Sequence, residues 1–292
     1  MKTLGYYNGT YDEIDNMSIP MNDRVCWFGD GVYDAGPCRN HKIFALDEHV
    51  DRFFNSAGLL DIKIPCTKAE LKELLQSLVH KMDSGDLFLY FQVTRGTAVR
   101  THEFPEHVPA NLWVMIKPLA TPDLSKRIKL ITVEDTRFFH CNIKTLNLIP
   151  SVMASEKAKQ AGCQEAVFHR GERVTECAHS NCHILKDGIL YTAPADNLIL
   201  PGIARAHLIR ICKKLEIPVS ETPYTLKDMM EADEVLVTSS TKLCVGTSAI
   251  DGAPAGGKAP ELLDRILDAI MAEYLSETNG AARESRAGGA CD

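Results

Sequence analysis

The segment Cys141–Pro150 has the sequence Cys-Asn-Ile-Lys-Thr-Leu-Asn-Leu-Ile-Pro, in which Lys144 stands among apolar and small polar residues. Burying an ammonium group is costly unless the group is paired, neutralised or used covalently. Desolvation also makes an amine nucleophilic near neutral pH, as in enzymes that attach a carbonyl compound to a lysine. The segment alone therefore leaves two interpretations open: a lysine whose amine reaches water, and a catalytic lysine.

Composition places the chain among ordinary globular proteins. It has 292 residues, 45% hydrophobic and 24% charged, which is enough for two domains. Its net charge of -7 argues against nucleic acid or an anionic membrane as the main partner. We find neither an apolar run of the roughly 18–20 residues that a membrane helix needs nor a signal peptide at the first residues. The ten cysteines are expected to be thiols in a reducing cytoplasm.

Hydrophobic periodicity and turn residues predict mixed helices and strands in the first part of the chain. The expected elements are a hairpin turning at Asn8-Gly9, a strand through Tyr33, a helix with Asp47 as N-cap, a helix over 67–83 capped by Thr67, and strands over 87–96 and 111–116. Two prolines and the lack of periodicity after this region predict a linker over residues 119–123.

The second part predicts a strand at 127–133, a meander of short strands over 165–192 and several helices. The expected helices cover 151–161 with Ser151 as cap, about 203–215, 224–231 and 260–275. The pattern alone indicates an α+β protein with a domain over 1–118, a linker over 119–123, a larger domain over 124–278 and a disordered tail over 279–292.

Five features outside the Lys144 segment suit anion or cofactor binding, although each also has an ordinary structural explanation. Arg52 falls beside the apolar stripe of its helix, where facing a phosphate would be useful. Arg100 and His102 share a loop, where they suit a carboxylate clamp or a solvated charged surface. Glu176 precedes small polar residues, Gly202 precedes a helix, and the run Ser239-Ser240-Thr241 could cradle a phosphate. The Cys177, His179, Cys182 and His183 spacing fits no standard zinc site.

Together, an amine, an arginine, a carboxylate, a helix start and hydroxyls are the groups that pyridoxal phosphate needs. Four motifs identify the chain, from about residue 4 to 275, as similar to the fold-type IV pyridoxal-phosphate aminotransferases. They are Glu48–Arg52, Asn142–Asn147, Val174–Glu176 with Ser180-Asn181 after it, and Leu200–Arg205. Within that family, Gly29–Tyr33, Gln92–Gly96 and the Arg100-x-His102 pair most resemble the D-amino acid transaminases.

The resemblance implies a role for each matching residue. Lys144 is the expected Schiff-base and proton-transfer residue, Glu176 faces the pyridine nitrogen, and Arg137 lies near the phosphate side. The expected cofactor-binding residues are Arg52, Lys144, Glu176, Leu200, Gly202, Ile203, Ala204 and Ser240, and the expected substrate-binding residues are Tyr33, Arg100 and His102. The implied fold is a small α/β amino-terminal domain and a larger domain with a barrel-like sheet. The implied assembly is a homodimer with partner loops near the active site.

Some positions depart from the family pattern. Asp34 stands where glutamate is usual, Ala204 lacks a common hydroxyl, His179 replaces a small residue, and Lys242–Gly246 differs from the usual Glu-Ile-Thr-Pro-Val. We expect the His179 and Lys242–Gly246 changes to lie near the substrate.

The leading hypothesis is transfer of an amino group between a D-amino acid, such as D-alanine, and a 2-oxo acid, such as 2-oxoglutarate. The alternatives are an (R)-amine or branched-chain transaminase, aminodeoxychorismate lyase, and a catalytically silent relative.

Overall fold

Two β-sheets organise the computed structural model of the protein, which describes residues 1–279. The first sheet is antiparallel throughout, with strand order β2-β1-β6-β5-β3-β4. Its strands are β1 (Leu4–Tyr7), β2 (Thr10–Asp12), β3 (Gly31–Arg39), β4 (Lys42–Ile43), β5 (Leu87–Thr94) and β6 (Asn111–Pro118). The hairpin expected at Asn8-Gly9 is confirmed by the antiparallel pairing of β1 and β2.

Three α-helices accompany this sheet: α1 (Arg24–Phe28), α2 (Leu46–Leu59) and α3 (Lys68–Val79). A short 3-10 helix also covers Ile14–Asn16. Helix α3 has the predicted capping box of Thr67 and Glu70, although it ends before the predicted residue 83. The predicted N-cap at Asp47 is wrong, because the N-cap of α2 is Ala45, two residues earlier, in a left-handed conformation. Asp47 instead lies in the first turn, where its charge favours the helix dipole.

The second sheet mixes parallel and antiparallel strands in the order β12-β11-β10-β13-β14-β7-β8-β9, with β15 added to β14. Its strands are β7 (Ile128–Glu134), β8 (Glu165–Arg170), β9 (Arg173–Cys177), β10 (Asn181–Lys186), β11 (Ile189–Thr192), β12 (Val219–Ser220), β13 (Glu234–Ser239), β14 (Leu243–Ile250) and β15 (Ala253–Pro254). The predicted meander is only partly correct, because β9 pairs with β8 whereas β10 pairs with β13.

Helices α4 (Ile149–Gln160), α5 (Ile203–Lys214), α6 (Leu226–Glu231) and α7 (Pro260–Glu277) accompany this sheet. Ser151 is not the cap of α4, which begins at Ile149 with Pro150 in its first turn. Each sheet has its own buried apolar cluster, one containing Phe53 and Phe91 and the other Leu236 and Ile266. This arrangement agrees with the predicted α+β class.

An irregular segment before α4 connects the two sheets. The backbone N–H of Tyr33 in β3 donates to the carbonyl of Lys144 (3.0 Å), and Leu146 donates to the carbonyl of Gly31 (3.2 Å). These bonds place the Lys144 segment against the first sheet, immediately before α4 of the second part.

The domain boundaries expected at residues 118 and 124 stay a prediction. Apart from its first residue, the predicted tail lies outside the described residues. None of the helices among residues 1–279 combines the length and apolar character that crossing a membrane requires.

Candidate active site

One cavity between the two sheets brings together most of the predicted site residues. The predicted residues that line it are Tyr33, Arg52, Lys144, Glu176, Leu200, Gly202, Ile203, Ala204 and Ser240. They come from β3, α2, the connecting segment, β9, the segment before α5, α5 itself and the turn after β13. Residues far apart in the chain therefore meet because the Lys144 segment joins the two sheets.

Lys144 is half-buried, so its amine can reach the cavity without full desolvation. Its Nζ lies 4.5 Å from the centroid of the Tyr33 ring. Its backbone N–H donates to the Ser56 hydroxyl of α2 at 3.2 Å, and its carbonyl accepts from Tyr33. Both backbone groups of Lys144 are thus fixed, which leaves the side chain as the adjustable part.

Arg52 is buried on the inner face of α2 and is held by Asp34 of β3. Its Nε and Nη2 each lie 2.8 Å from a carboxylate oxygen of Asp34, and His49 binds the same carboxylate at 2.7 Å. Burial opposes ionisation of Asp34, but Arg52 and His49 outweigh it and hold the pKa of this carboxyl well below its usual range. Nη1 of Arg52 donates to the Pro201 carbonyl (3.3 Å), just before α5.

Glu176, near the end of β9, lines the cavity with its carboxylate and is 5% exposed. One oxygen accepts from Arg137 Nη1 at 2.5 Å. The other accepts from the Asn181 amide and from the backbone N–H of Leu200, each at 3.0 Å. Burial raises the pKa of Glu176 to about 7, although Arg137 and the Leu200 N–H favour the charged form.

Arg137 does not lie where the resemblance placed it. We expected a residue near the phosphate side, whereas its guanidinium bridges Glu176 and Asp135. Burial disfavours its charge, but these two carboxylates outweigh burial and raise the pKa of Arg137 above its ordinary value. Arg137 is therefore the counter-charge of Glu176.

The start of α5 offers backbone donors to the cavity. Gly202 is the N-cap and supplies no side-chain cap, so the first amides of the helix are left for another acceptor. A Cβ at Gly202 would lie 2.0 Å from the Asn181 side-chain oxygen, so the close approach requires glycine. Ser239, the last residue of β13, and Ser240 line the same cavity.

Arg100 and His102 do not line this cavity in their own chain. They lie in the exposed loop between β5 and β6, against the Phe28 ring. Arg100 Cζ is 5.1 Å from that ring centroid, and the His102 ring is 5.3 Å from it. The structure therefore brings nine of the predicted site residues together and leaves this pair in a separate loop.

The departures from the family pattern fall in different places. His179 lines the cavity and its imidazole contacts the fully buried carboxylate of Glu165, which also accepts from Ser180. Ala204 also lines the cavity. Lys242 lies in the turn between β13 and β14 and, within the described part of the chain, is not among the lining residues.

Sequence reasoning missed the residues that hold the site in shape. Asp34 was noted only as a departure, and the contacts of Ser56 and Asn181 with the Lys144 and Glu176 segments were not foreseen. Ser180-Asn181 belonged to a recognised motif, which is a signal for Asn181. No local pattern pointed to Ser56.

The residues present fit pyridoxal phosphate. Arg52, the free amides at the start of α5 and the serine hydroxyls provide an anion site, and Glu176 provides an acceptor for a ring N–H. Lys144 provides an amine, and Leu200 provides an apolar surface. The fold and cavity therefore define an enzyme of the pyridoxal-phosphate class.

Comparison with known proteins identifies the family. The model of the amino-transferase class IV family matches residues 31–250, so the chain belongs to the class IV aminotransferases, which depend on pyridoxal phosphate. The chain is 42% identical over 264 residues to a D-alanine aminotransferase of Listeria monocytogenes, covering 88% of this chain and 91% of that protein. It is 35% identical to the D-alanine aminotransferase of Bacillus licheniformis, over 95% and 99% of the two chains.

Solved structures agree with the fold. The branched-chain amino acid aminotransferase of Escherichia coli has a TM-score of 0.86 at 21% identity, covering 99% of this chain and 98% of that one. The branched-chain amino acid aminotransferase of T.th., solved with pyridoxamine 5'-phosphate, has a TM-score of 0.85 at 25% identity, covering 93% and 94%. The predicted fold-type IV architecture is confirmed.

Proposed function

We propose that the protein moves an amino group between a D-amino acid, such as D-alanine, and a 2-oxo acid, such as 2-oxoglutarate, in two half-reactions. The observation that carries this proposal is the identity of 35–42% to D-alanine aminotransferases over most of both chains. The cavity with Lys144, Arg52 and Glu176 supplies the chemistry that such a reaction needs.

The phosphate end of the cofactor is assigned to Arg52, the amides of Ile203 and Ala204, and the Ser240 hydroxyl. Asp34 fixes the Arg52 guanidinium, so the cation is oriented before the anion arrives. The positive end of the α5 dipole adds to the attraction for a dianion. The side chain of Leu200 would offer an apolar surface to the cofactor ring.

Glu176 is assigned to the pyridine nitrogen. Its carboxylate is oriented by Arg137, Asn181 and the Leu200 N–H, so it can accept a hydrogen bond from a protonated ring nitrogen. When bound, pyridoxal phosphate supplies an electron sink that stabilises negative charge at the substrate α-carbon.

Lys144 is assigned two tasks. Its Nζ would hold the cofactor when pyridoxal phosphate is bound, and its amine would move a proton to and from the substrate α-carbon. The fixed backbone of Lys144 and its free side chain suit both tasks, because the amine must swing while its origin stays in place. The adjacent Tyr33 ring limits the side on which the amine moves.

The substrate carboxylate is assigned to Tyr33, Arg100 and His102. Because Arg100 and His102 lie outside the cavity of their own chain, the proposal includes a homodimer in which this loop serves the cavity of the partner. Exposed apolar side chains beside the cavity suit such an interface: Phe139, Ile149, Val152 and Met153. A cytoplasmic location is also part of the proposal, since the nine cysteines of the described residues are free thiols.

The decisive assay compares D-alanine with L-alanine as amino donors to 2-oxoglutarate. We expect turnover with the D isomer, and activity with L-alanine alone would overturn the D-specific assignment. Activity on an (R)-amine, or release of pyruvate from aminodeoxychorismate, in place of D-alanine turnover would favour one of the alternative activities.

The role of Lys144 is tested by spectroscopy. Purified enzyme should have a visible absorption band that borohydride abolishes, and Lys144→Ala should lose both this band and turnover while keeping its circular dichroism spectrum. Lys126→Ala, which removes an exposed lysine, is the matched control. Full turnover in Lys144→Ala would contradict the assignment, and lack of bound cofactor in the wild type would indicate a silent relative.

A further inference from the structure

The loop over residues 95–110 has no helix or strand of its own, apart from an isolated bridge at Thr97. An irregular connection of this length is uncommon in a compact protein and is usually functional or flexible. If the loop were flexible, binding a substrate through Arg100 and His102 would cost the entropy of ordering it.

Arg24 binds the backbone of this loop through hydrogen bonds. This arginine of α1 is 3% exposed, and its Nη1 donates to the carbonyls of Thr101 (2.8 Å) and Glu103 (3.3 Å). Thr101 and Glu103 are the residues on either side of His102, and Thr101 directly follows Arg100. One buried guanidinium thus fixes the backbone around both residues that are assigned to the carboxylate.

Asp30 orients Arg24. Its carboxylate accepts from Arg24 Nε at 2.7 Å and from Arg95 Nε at 2.9 Å, so two buried arginines share one acid. Arg95 also donates to the carbonyls of Leu60 (2.8 Å) and Asp61 (3.2 Å) just after α2. The loop is therefore connected through Asp30 to the helix that carries the candidate phosphate arginine.

Aromatic contacts complete the arrangement. The Phe104 ring of the loop lies 3.5 Å from Arg95 Cζ, and the Phe28 ring lies between Arg24 (4.9 Å) and Arg100 (5.1 Å). A guanidinium over an aromatic face is attracted by the ring quadrupole. These contacts order the side chains of a loop whose backbone Arg24 already holds.

We propose that Arg24, oriented by Asp30, is a positioning residue that pre-organises Arg100 and His102 to bind the substrate carboxylate. This inference rests on the proposed function, in which that pair binds the carboxylate. The carboxylate is bound in the ground state and in the transition state alike, so losing its pre-organisation raises KM more than it lowers kcat. Since both substrates carry a carboxylate beside the reacting carbon, both KM values rise together.

The test compares Arg24→Met with the wild type. We expect the KM for D-alanine and for 2-oxoglutarate to rise about tenfold with kcat within about twofold, and amide hydrogen exchange to accelerate in the peptide 97–107. Arg24→Lys should recover part of the loss, because it keeps a cation beside Asp30 without the fork that reaches both carbonyls. Arg127→Met is the matched control, since Arg127 likewise joins a buried carboxylate (Glu234) to a backbone carbonyl (Thr247) in the other sheet. It should leave both KM values and the exchange of 97–107 unchanged.

Arg100→Met and the double variant separate this inference from the function on which it rests. If Arg24 acts through Arg100 and His102, Arg24→Met should raise KM by a smaller factor in the Arg100→Met background than in the wild type. Unchanged KM and exchange in Arg24→Met, with a raised KM in Arg100→Met, would overturn the positioning role alone. Unchanged KM in Arg100→Met would overturn the carboxylate assignment and this inference with it.

If Arg24→Met does not fold, Phe104→Ser weakens the same loop at an exposed residue and should raise both KM values two- to fivefold. Unchanged values would then overturn the positioning role.

Discussion

Arg52 and Asp34 form a buried two-point ion pair, in which Nε and Nη2 of the arginine each lie 2.8 Å from a carboxylate oxygen. Asp34 is fully buried and is also bound by His49, so the guanidinium cannot rotate without breaking several bonds. A planar guanidinium that is bound along one edge presents its remaining N–H groups in a fixed direction. The shorter aspartate therefore does not weaken the anion site, because it still reaches two nitrogens of Arg52.

Asp34→Asn should weaken cofactor binding about tenfold, which corresponds to about 1.4 kcal/mol. It leaves Arg52 buried beside a neutral amide, and we expect a loss of about 3–5 kcal/mol of stability. The measurements are a cofactor titration by visible absorption and urea unfolding of the apo-protein. Asp34→Glu, which keeps the charge, is the control and should bind more tightly than the asparagine variant.

The ion pair of Arg52 and Asp34 should make the stability of the protein depend on pH. Because the pKa of Asp34 is lowered from its usual value of 3.8, its stabilising contribution is full above that value and is lost as the pH falls further. The stability difference between wild type and Asp34→Asn should therefore shrink below about pH 4. A difference that stays constant from pH 7 to pH 3 would show that folding does not lower the pKa of Asp34.

Arg137→Met should shift the acid limb of the activity profile to higher pH. Without its counter-charge, the pKa of Glu176 should rise above its present value of about 7, so that the carboxylate is protonated more readily. A rise of about one unit would lower the ionised fraction at pH 7 from about a half to about a tenth, with a matching loss of kcat. The measurement is kcat from pH 5 to pH 9. Arg137→Lys keeps a cation there and should shift the limb less; an unchanged limb in Arg137→Met would refute the pairing.

The sequence predicted the residues that line the cavity better than the residues that support them. Lys144, Arg52 and Gly202 stand in local motifs whose spacing carries a physical reason, such as a glycine before a helix start. The partners Asp34, Arg137 and Ser56 were missed or misplaced, because each meets its counterpart from a distant part of the chain. Periodicity reports which face of an element is buried but not what it meets.

Element boundaries show the same limit. Thr67 was a correct helix cap because its capping box lies within four residues, so the signal is local. Asp47 was an incorrect prediction of a helix cap. The N-cap of α2 is Ala45 in a left-handed conformation, and no side-chain pattern predicts this. The separation of Arg100 and His102 from their own cavity likewise depends on how the two sheets meet.

His179→Ser should destabilise the protein through Glu165. The Glu165 carboxylate is fully buried, and burial opposes its ionisation, but its bonds to His179 and Ser180 hold the pKa of this carboxyl below its usual range. Losing the imidazole should cost about 1–2 kcal/mol, less than a fully buried pair because His179 is largely exposed. Urea unfolding measures this, and Glu165→Gln in the same background should recover part of the loss. Equal stability of wild type and His179→Ser would contradict it.

His207→Gln should lower stability at acidic pH more than at alkaline pH. His207 of α5 is buried between Glu48 of α2 (2.8 Å) and Glu273 of α7 (2.7 Å), so it joins elements of both sheets. Burial opposes its charge, but the two carboxylates outweigh burial and raise the pKa of His207 above its usual 6.5.

A raised pKa means that the stabilising contribution of His207 is full below pH 6.5 and is lost as the pH rises through the folded-state pKa. We expect a difference of about 1–2 kcal/mol at pH 6 that declines towards pH 9, measured by urea unfolding. Glu273→Gln should flatten the pH dependence of the wild type, and a wild-type advantage that does not change between pH 6 and pH 9 would show that folding does not raise the pKa of His207.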